Sequence, residues 1–223
     1  MTGSAVDASS KAPNWQGQRA EPTRLLLLRH GQTALSAQRR YSGRGDPALT
    51  DLGLAQADGA AARLGGRTDI TAVVSSPLQR ARDTAQAVAT RLGIDVEVDD
   101  GFIETDFGDW EGLTFTEAAE RDPRLHGQWL TDPEVSAPSG ESFAQVADRV
   151  IAAKDALLQR HPGQTILVVS HVTPIKSLLR DALRTGPELL FRLHLDLASL
   201  SITEFFPDGG SVVKLVNDTG HLD

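Results

Sequence analysis

The chain has 223 residues, of which 40% are hydrophobic and 23% charged, and its formal net charge is −8 at pH 7. Length and composition fit one globular domain with a sizeable core. The acidic balance argues against a large nucleic-acid footprint, which needs a basic face, although a few arginines in one cleft can still create a local anion site. The absence of cysteine excludes disulfides, thiolate metal sites and cysteine nucleophiles.

Residues 1–23 are rich in Ser, Ala, Gly, Gln and Pro and show no apolar period. This composition predicts a disordered tail or an interdomain linker, with the folded domain over 24–223. The start of the chain lacks the pattern of a secretory signal, and no run of eighteen apolar residues occurs. We therefore expect a cytoplasmic protein without a membrane partner. The sequence does not indicate an oligomeric state.

Strand and helix patterns alternate after this segment. Four consecutive leucines at 25–28 are typical of a strand that is buried on both faces, as in a parallel sheet. The turn sequence Pro-Asp-Gly-Gly at 207–210 predicts a hairpin between the last two strands. The predicted strands are 24–29, 71–76, 94–98, 165–170, 197–206 and 212–216. The predicted helices are 50–64, 77–93, 114–121, 141–161 and one that begins near Pro174. This order predicts an α/β fold of three αβα layers, whose sheet is mostly parallel with one antiparallel strand.

Two histidines come directly after strands of this predicted sheet. The first strand ends in Arg29, His30 and Gly31, and His171 follows the strand 165–170. The carboxyl ends of parallel strands are where open α/β sheets bind ligands. One such histidine alone is more often structural, but two at equivalent strand ends favour a function. The other four histidines are predicted to be structural.

The junction at 75–84 is a third point where a strand leads into a helix. Ser76 and Pro77 are predicted to be the cap and the first-turn proline of that helix. A helix N-terminus suits an anion, and Arg80 lies in the first turns, where it can point into the same crevice. Arg82 should face elsewhere. The alternative for Arg80 is a surface ion pair.

The segment 102–112 carries four acids within eight residues, beginning with Glu104. No histidine lies among them at the spacing of metal ligands, so a metal site is disfavoured. One carboxyl group that acts as a proton donor is the favoured interpretation. Spacing alone does not say which of the four it is.

Together these stretches resemble the histidine phosphatase superfamily, also called phosphoglycerate mutase-like. The similarity covers 24–206 and keeps the family's motif order. It is greatest to the phosphatase half of bifunctional ribonuclease H/acid phosphatase proteins and to α-ribazole phosphatase. The motifs that carry it are Arg29-His30-Gly31-Gln32-Thr33, the stretch 76–84, the acid loop from Glu104, Gly140-Glu141-Ser142 and Ser170-His171.

This resemblance implies the roles of five catalytic residues. His30 would be the phosphorylated nucleophile, and Glu104 would give a proton to the leaving oxygen. Arg29, Arg80 and His171 would hold the phosphoryl oxygens. The implied substrate is a small phosphate ester, and the implied reaction needs neither a metal nor another cofactor.

Further contacts to the substrate are implied at four positions. Gly31 adjoins the nucleophile, and Ser42 matches a hydroxyl that contacts phosphate in relatives. Ser36 stands where many relatives carry asparagine and is the candidate for a contact from that position. Thr173 is expected to line the pocket. By the same resemblance, residues 1–23 would link this domain to another catalytic domain upstream.

Three functions stay open at this stage. A phosphatase is favoured over a mutase because only a short segment follows Glu111-Gly112, where mutase relatives usually carry a longer insertion. A non-catalytic phospholigand-binding domain ranks third, since none of the implied catalytic residues is missing. Specificity is expected in the loop after 39–41 and in 112–140. There Phe115, Trp129 and Leu130 are candidates for pocket walls or for packing between helices.

Overall fold

The computed structural model describes residues 20–222 and contains a six-stranded sheet. Its strands are β1 (Thr23–Arg29), β2 (Ile70–Ser75), β3 (Val96–Val98), β4 (Thr165–Ser170), β5 (Leu200–Phe205) and β6 (Ser211–Asp218). The spatial order is β3-β2-β4-β1-β5-β6. β5 pairs antiparallel with β1 and β6, whereas the pairs β1–β4, β2–β4 and β2–β3 are parallel. The predicted mostly parallel sheet with one reversed strand is confirmed.

Helices cover both faces of this sheet. The four long ones are α2 (Asp51–Leu64), α3 (Gln79–Leu92), α6 (Phe143–Arg160) and α7 (Val172–Leu183). The short ones are α1 (Ala34–Ala37), α4 (Phe115–Arg121), α5 (Pro123–Trp129) and α8 (Leu189–Arg192). One apolar cluster joins the sheet to α6 and α7, and a second joins its other face to α2 and α3. This confirms the predicted three-layer arrangement.

The four leucines of β1 explain why this strand lies in the centre of the sheet. Leu25 and Leu27 belong to the cluster under α6 and α7, while Leu26 and Leu28 belong to the cluster under α2 and α3. All four are completely buried. Successive side chains of a strand point to opposite faces, so a strand covered on both sides needs apolar residues throughout.

The start of α3 differs from the sequence prediction. The prediction of Ser76 as its cap and Pro77 in its first turn was wrong, because the helix begins at Gln79 after Leu78. The Gln79 N–H is instead satisfied from a distance, by Asp46 Oδ1 at 2.7 Å. The start of α2 agrees with its prediction, since the Thr50 hydroxyl caps it.

A third apolar cluster, which we call the aromatic cluster, lies beside the sheet. Its aromatic members are Tyr41, Phe107, Trp110, Trp129 and Phe143. Trp129 is 3% exposed, so its side chain packs between helices, whereas the side chains of Phe115 and Leu130 are exposed. The short helices α1, α5 and α8 were not predicted.

The predicted tail or linker over 1–23 falls almost entirely outside the described residues, and Thr23 is already part of β1. Within residues 20–222, no helix combines the length and apolarity needed to cross a membrane.

Candidate active site

His30 and His171 lie side by side because β1 and β4 are neighbouring parallel strands. The last pair of the ladder joins Arg29 to Ser170, and the next residue of each strand is a histidine. The backbone N–H of His30 donates to the backbone carbonyl oxygen of Ser170 at 3.0 Å. The centroids of the two imidazole rings are 5.0 Å apart, and both side chains are buried.

The protonation of His30 suits a nucleophile. Its Nδ1 lies 2.7 Å from Gly31 O. A carbonyl oxygen only accepts hydrogen bonds, so Nδ1 carries the hydrogen and Nε2 carries the free lone pair. Burial, together with the guanidinium groups of Arg29 and Arg80, holds the pKa of His30 well below 6.5. The imidazole is therefore neutral at physiological pH.

The loop that begins with Gly31 needs a residue without a side chain. A Cβ atom on Gly31 would lie 2.4 Å from the carbonyl oxygen of Gly53, near the start of α2. Only glycine allows this close approach of the two backbones. Gly31 therefore sets the path of the chain directly after His30.

Arg80 is completely buried and fixed by the loop 42–45. Its guanidinium donates to the carbonyl oxygens of Gly45 at 2.7 Å, Gly43 at 2.9 Å and Ser42 at 3.1 Å. The carboxylate of Glu111 accepts the N–H groups of Gly43 and Gly45 in the same loop. The loop is thus held between a cation and an anion, and the alternative of Arg80 as a surface ion pair is excluded.

Arg29 supplies a second cation at the end of β1. Its Nη1 donates to the Leu195 carbonyl oxygen at 2.6 Å. Burial lowers the pKa of Arg29 to about 10, so the group keeps its charge at neutral pH. The two guanidinium groups are close enough to affect each other's electrostatics and those of both histidines.

The carboxyl group of Glu104 is buried and has a fixed orientation. It is 5% exposed, and its Oε1 accepts the Thr105 N–H at 2.8 Å and the Thr105 hydroxyl at 3.2 Å. Both bonds go to one oxygen, so Oε2 is the oxygen through which the group can exchange a proton. When it is ionised, Glu104 acts electrostatically on Arg29 and Arg80, so its carboxyl group lies near both cations.

Arg149 of α6 holds the segment that leads to Glu104. It donates to the carbonyl oxygens of Gly101 at 3.0 Å, Ile103 at 2.7 Å and Glu104 at 2.9 Å. The carboxylate of Glu141 pairs with the same guanidinium at 2.9 and 3.1 Å. Glu104 therefore sits on a backbone that is fixed from the neighbouring helix.

Four buried polar atoms of this cluster have no hydrogen-bond partner. They are Arg29 Nε, Ser42 Oγ, Arg80 Nε and His171 Nδ1, and they make up four of the seven such atoms found within residues 20–222. Buried polar groups in native proteins are almost always paired. Several unpaired groups of this kind around two guanidinium groups fit a site for an anion that is itself rich in acceptors.

The remaining predicted contacts divide between the site and local structure. Thr173 lies in the first turn of α7, two residues after His171, and is buried. The hydroxyl of Ser36 is bonded to the backbone of Thr33 in a capping box at α1, at 2.9 Å from the Thr33 nitrogen. Residues 20–222 contain no group of three or more His, Asp or Glu side chains that could hold a metal ion.

Three residues of this arrangement were missed by the sequence analysis. Arg149 is one polar residue within an amphipathic helix, and its only signal is its place three residues after the buried Val146. Glu111 was one of four acids that spacing could not separate. Ser76 was interpreted as a helix cap, but its Oγ lies 2.7 Å from His171 Nε2.

The chain belongs to the histidine phosphatase superfamily (branch 1), whose family model matches residues 25–219. This confirms the resemblance that the motifs indicated.

Three relatives illustrate the similarity. The chain is 61% identical over 214 residues to the Bifunctional protein Rv2228c of Mycobacterium tuberculosis, covering 96% of this chain but 59% of the relative. It is 32% identical over 200 residues to Phosphoserine phosphatase 1 of Hydrogenobacter thermophilus, covering 89% and 94% of the two chains. The solved structure of mycobacterial glucosyl-3-phosphoglycerate phosphatase Rv2419c superposes with a TM-score of 0.81 at 29% identity, over 89% of this chain and all of that one.

Proposed function

We propose that this domain is a metal-independent phosphomonoester hydrolase that forms a phosphohistidine intermediate on His30. One observation carries the proposal: Arg29, Arg80 and His171, each with an unpaired buried nitrogen, neighbour a neutral imidazole of His30 whose Nε2 lone pair is free. A small-molecule phosphate monoester is the ligand that matches both features. The names of the relatives, two of which are phosphatases, support the same reaction class.

The phosphoryl group would occupy the space between the two guanidinium groups, His171 and Ser42. A phosphomonoester carries about two negative charges near neutral pH. Arg29 and Arg80 each keep a free Nε–H, while the terminal nitrogens of the same guanidinium groups are already anchored on carbonyl oxygens. These prearranged donors stabilise the charge that shifts among the phosphoryl oxygens during transfer, which is the main catalytic task in this chemistry.

In the first half-reaction, Nε2 of His30 attacks phosphorus in line with the ester oxygen. An N–P bond forms as the P–O bond to the leaving group breaks. Glu104, in its protonated form, passes its proton from Oε2 to the leaving oxygen, so the product leaves as a neutral alcohol. The Nδ1–H of His30 stays on Gly31 O and stabilises the positive charge that develops on the ring.

In the second half-reaction, water attacks the phosphorus of the phosphohistidine. Glu104 is now a carboxylate and takes one proton from this water as the new O–P bond forms. The N–P bond breaks, and its electron pair returns to Nε2. Inorganic phosphate leaves, and both His30 and Glu104 regain their starting protonation states.

Hydrolysis is proposed over mutase activity because of the segment after Gly112. It consists of two seven-residue helices, α4 and α5, and the short stretch 130–142.

The chain spans 59% of the length of the Mycobacterium tuberculosis relative, which is described as bifunctional. We accordingly propose that this domain is the phosphatase part of such a longer protein.

The test is phosphate release from a panel of esters, measured with and without a metal chelator. The panel contains phosphoserine, glucosyl-3-phosphoglycerate, α-ribazole phosphate, a nucleotide and an aryl phosphate. We expect release from at least one natural ester at the same rate with chelator. Isomerisation of phosphoglycerate faster than phosphate release would favour the mutase. Activity that is lost in chelator and restored by a divalent ion would contradict the proposal.

Glu104→Gln should separate substrates by their leaving groups. An alkoxide needs the proton of Glu104, whereas an aryl oxide is stable enough to leave without it. We expect kcat on alkyl phosphates to fall by about 10³-fold and kcat on aryl phosphates to fall much less. The measurement is kcat for matched alkyl and aryl esters. Equal losses on both would remove Glu104 from the role of proton donor.

Arg149→Lys should give a weaker form of the same selectivity. Lysine keeps the charge but cannot donate to three carbonyl oxygens and a carboxylate at once, so the segment before Glu104 should shift. We expect about tenfold slower alkyl ester hydrolysis and a smaller change on aryl esters. Arg160→Lys, an exposed arginine of the same helix, is the matched control. Identical ratios of alkyl to aryl rate in both variants would contradict the expectation.

A further inference from the structure

Ser76 contacts the second histidine of the site from the neighbouring strand. Its Oγ lies 2.7 Å from Nε2 of His171, and both side chains are completely buried. Ser76 follows β2, and His171 follows β4, two strands that pair in parallel. The Ser76 N–H donates to Val169 O at 3.0 Å, which fixes the serine against the end of β4.

The direction of the Ser76–His171 hydrogen bond follows from the other partner of the hydroxyl. The Leu78 N–H approaches Ser76 Oγ at 3.4 Å, and an amide nitrogen only donates. The hydroxyl therefore accepts from Leu78 and keeps its own hydrogen for another group. His171 Nε2 is the acceptor at hand, so the hydroxyl donates to it. In the reverse arrangement the buried hydroxyl hydrogen would have no acceptor.

The imidazole of His171 carries a hydrogen on only one of its two ring nitrogens. Burial and the charges of Arg80 and Arg29 hold its pKa well below 6.5, so the ring is neutral. A neutral ring whose Nε2 accepts must carry its hydrogen on Nδ1. Nδ1 is also the buried atom of this ring without a protein partner.

We propose that Ser76 is a positioning residue that fixes His171 as the Nδ1–H tautomer, so that Nδ1 donates to a phosphoryl oxygen. This rests on the proposed function for the identity of the anion. The other tautomer would present a lone pair to that oxygen and repel it. The resting enzyme then holds both histidines as Nδ1–H tautomers for opposite purposes. His30 exposes its Nε2 lone pair for attack, and His171 exposes its Nδ1–H for binding.

Nitrogen-15 NMR of histidine-labelled enzyme tests the tautomer without any turnover. An N–H nitrogen and a bare ring nitrogen give clearly separated signals, and His171 is assigned from a His171→Gln sample. We expect Nδ1 of His171 as the N–H nitrogen and Nε2 as the bare one. Hydrogen on Nε2 in the wild-type enzyme would overturn the proposal, even if the domain proves to be an active phosphatase.

The second measurement is the affinity for inorganic phosphate in two serine variants. Ser76→Ala removes the donor to His171, and we expect phosphate affinity to fall about tenfold together with a mixed tautomer signal. Ser75→Ala is the matched control, because Ser75 is an equally buried neighbour whose hydroxyl bonds to the Ser76 carbonyl oxygen at 2.9 Å. Equal phosphate affinity in the two variants, or an unchanged His171 signal in Ser76→Ala, would also overturn the proposal.

Discussion

Replacing His30 with alanine should abolish the phosphoenzyme and lower kcat/KM by about 10⁵-fold. The reason is that Nε2 of His30 accepts the phosphoryl group in the proposed reaction, and no neighbouring group can take its place. His171 is the nearest imidazole, but its Nε2 is bonded to Ser76 Oγ. The measurement is acid quenching during turnover, which should trap an acid-labile, base-stable adduct on the wild-type enzyme and none on His30→Ala.

His161→Ala is the control for this loss. His161 is a half-buried histidine that follows α6, and its carbonyl oxygen accepts from the Thr23 hydroxyl, at the opposite end of β1 from His30. It should label and turn over like the wild-type enzyme. A His30→Ala protein that still forms the adduct at the normal level would rule out the phosphohistidine on this residue.

The depressed pKa of His30 sets the direction of the pH dependence. Both site histidines have a pKa well below 6.5 in the folded protein, so they stay neutral as the pH falls through 6.5. The nucleophile should therefore keep its lone pair, and the enzyme its activity, into mildly acidic solution. In the unfolded chain the same histidines bind protons below pH 6.5, so the free energy of unfolding should decrease there. Rates and urea unfolding measured across this range check both statements.

The fold could be predicted largely because its sequence patterns reflect burial. The strands β1 and β4 carry apolar residues on both of their faces, the four leucines in β1 and the stretch Ile166–Val169 in β4. A strand needs this pattern when helices cover both sides of a parallel sheet. The two strand ends then placed His30 and His171 at one edge. Helix boundaries were less predictable where a distant group supplies the cap, as Asp46 does for α3.

The supporting contacts of the site could not be predicted from the sequence. The family motifs named Arg80 and Glu104, but the groups that fix them are backbone carbonyl oxygens and carboxylates from separate segments. Glu111 reaches the loop 42–45 across 66 to 68 positions, and Arg149 reaches Glu104 across 45. Such contacts depend on the packed positions of loops and a helix, and composition or periodicity carries no record of them.

Arg80→Ala should have the second largest effect, for two reasons that can be measured apart. The variant loses a fixed cation at the phosphoryl group, so we expect kcat/KM to fall by about 10³-fold or more. It also leaves three carbonyl oxygens of the loop 42–45 without their donor, so the free energy of unfolding should fall by about 3 kcal/mol. Phosphate release and urea unfolding measure the two losses. Arg82→Ala is the matched control, since Arg82 is an exposed arginine two residues along the same helix, on its other side.

The type of defect in Arg80→Ala distinguishes binding of the phosphoryl group from attack on it. The variant keeps His30 and its bond to Gly31, so the nucleophile stays neutral with Nε2 free. We therefore expect Arg80→Ala to form the acid-labile adduct slowly, with weak affinity for inorganic phosphate, whereas His30→Ala forms none. Arg80→Lys should recover part of the affinity, because it restores the charge without the planar fork. Phosphate affinity as high in Arg80→Ala as in Arg82→Ala would show that this buried cation does not bind the phosphoryl group.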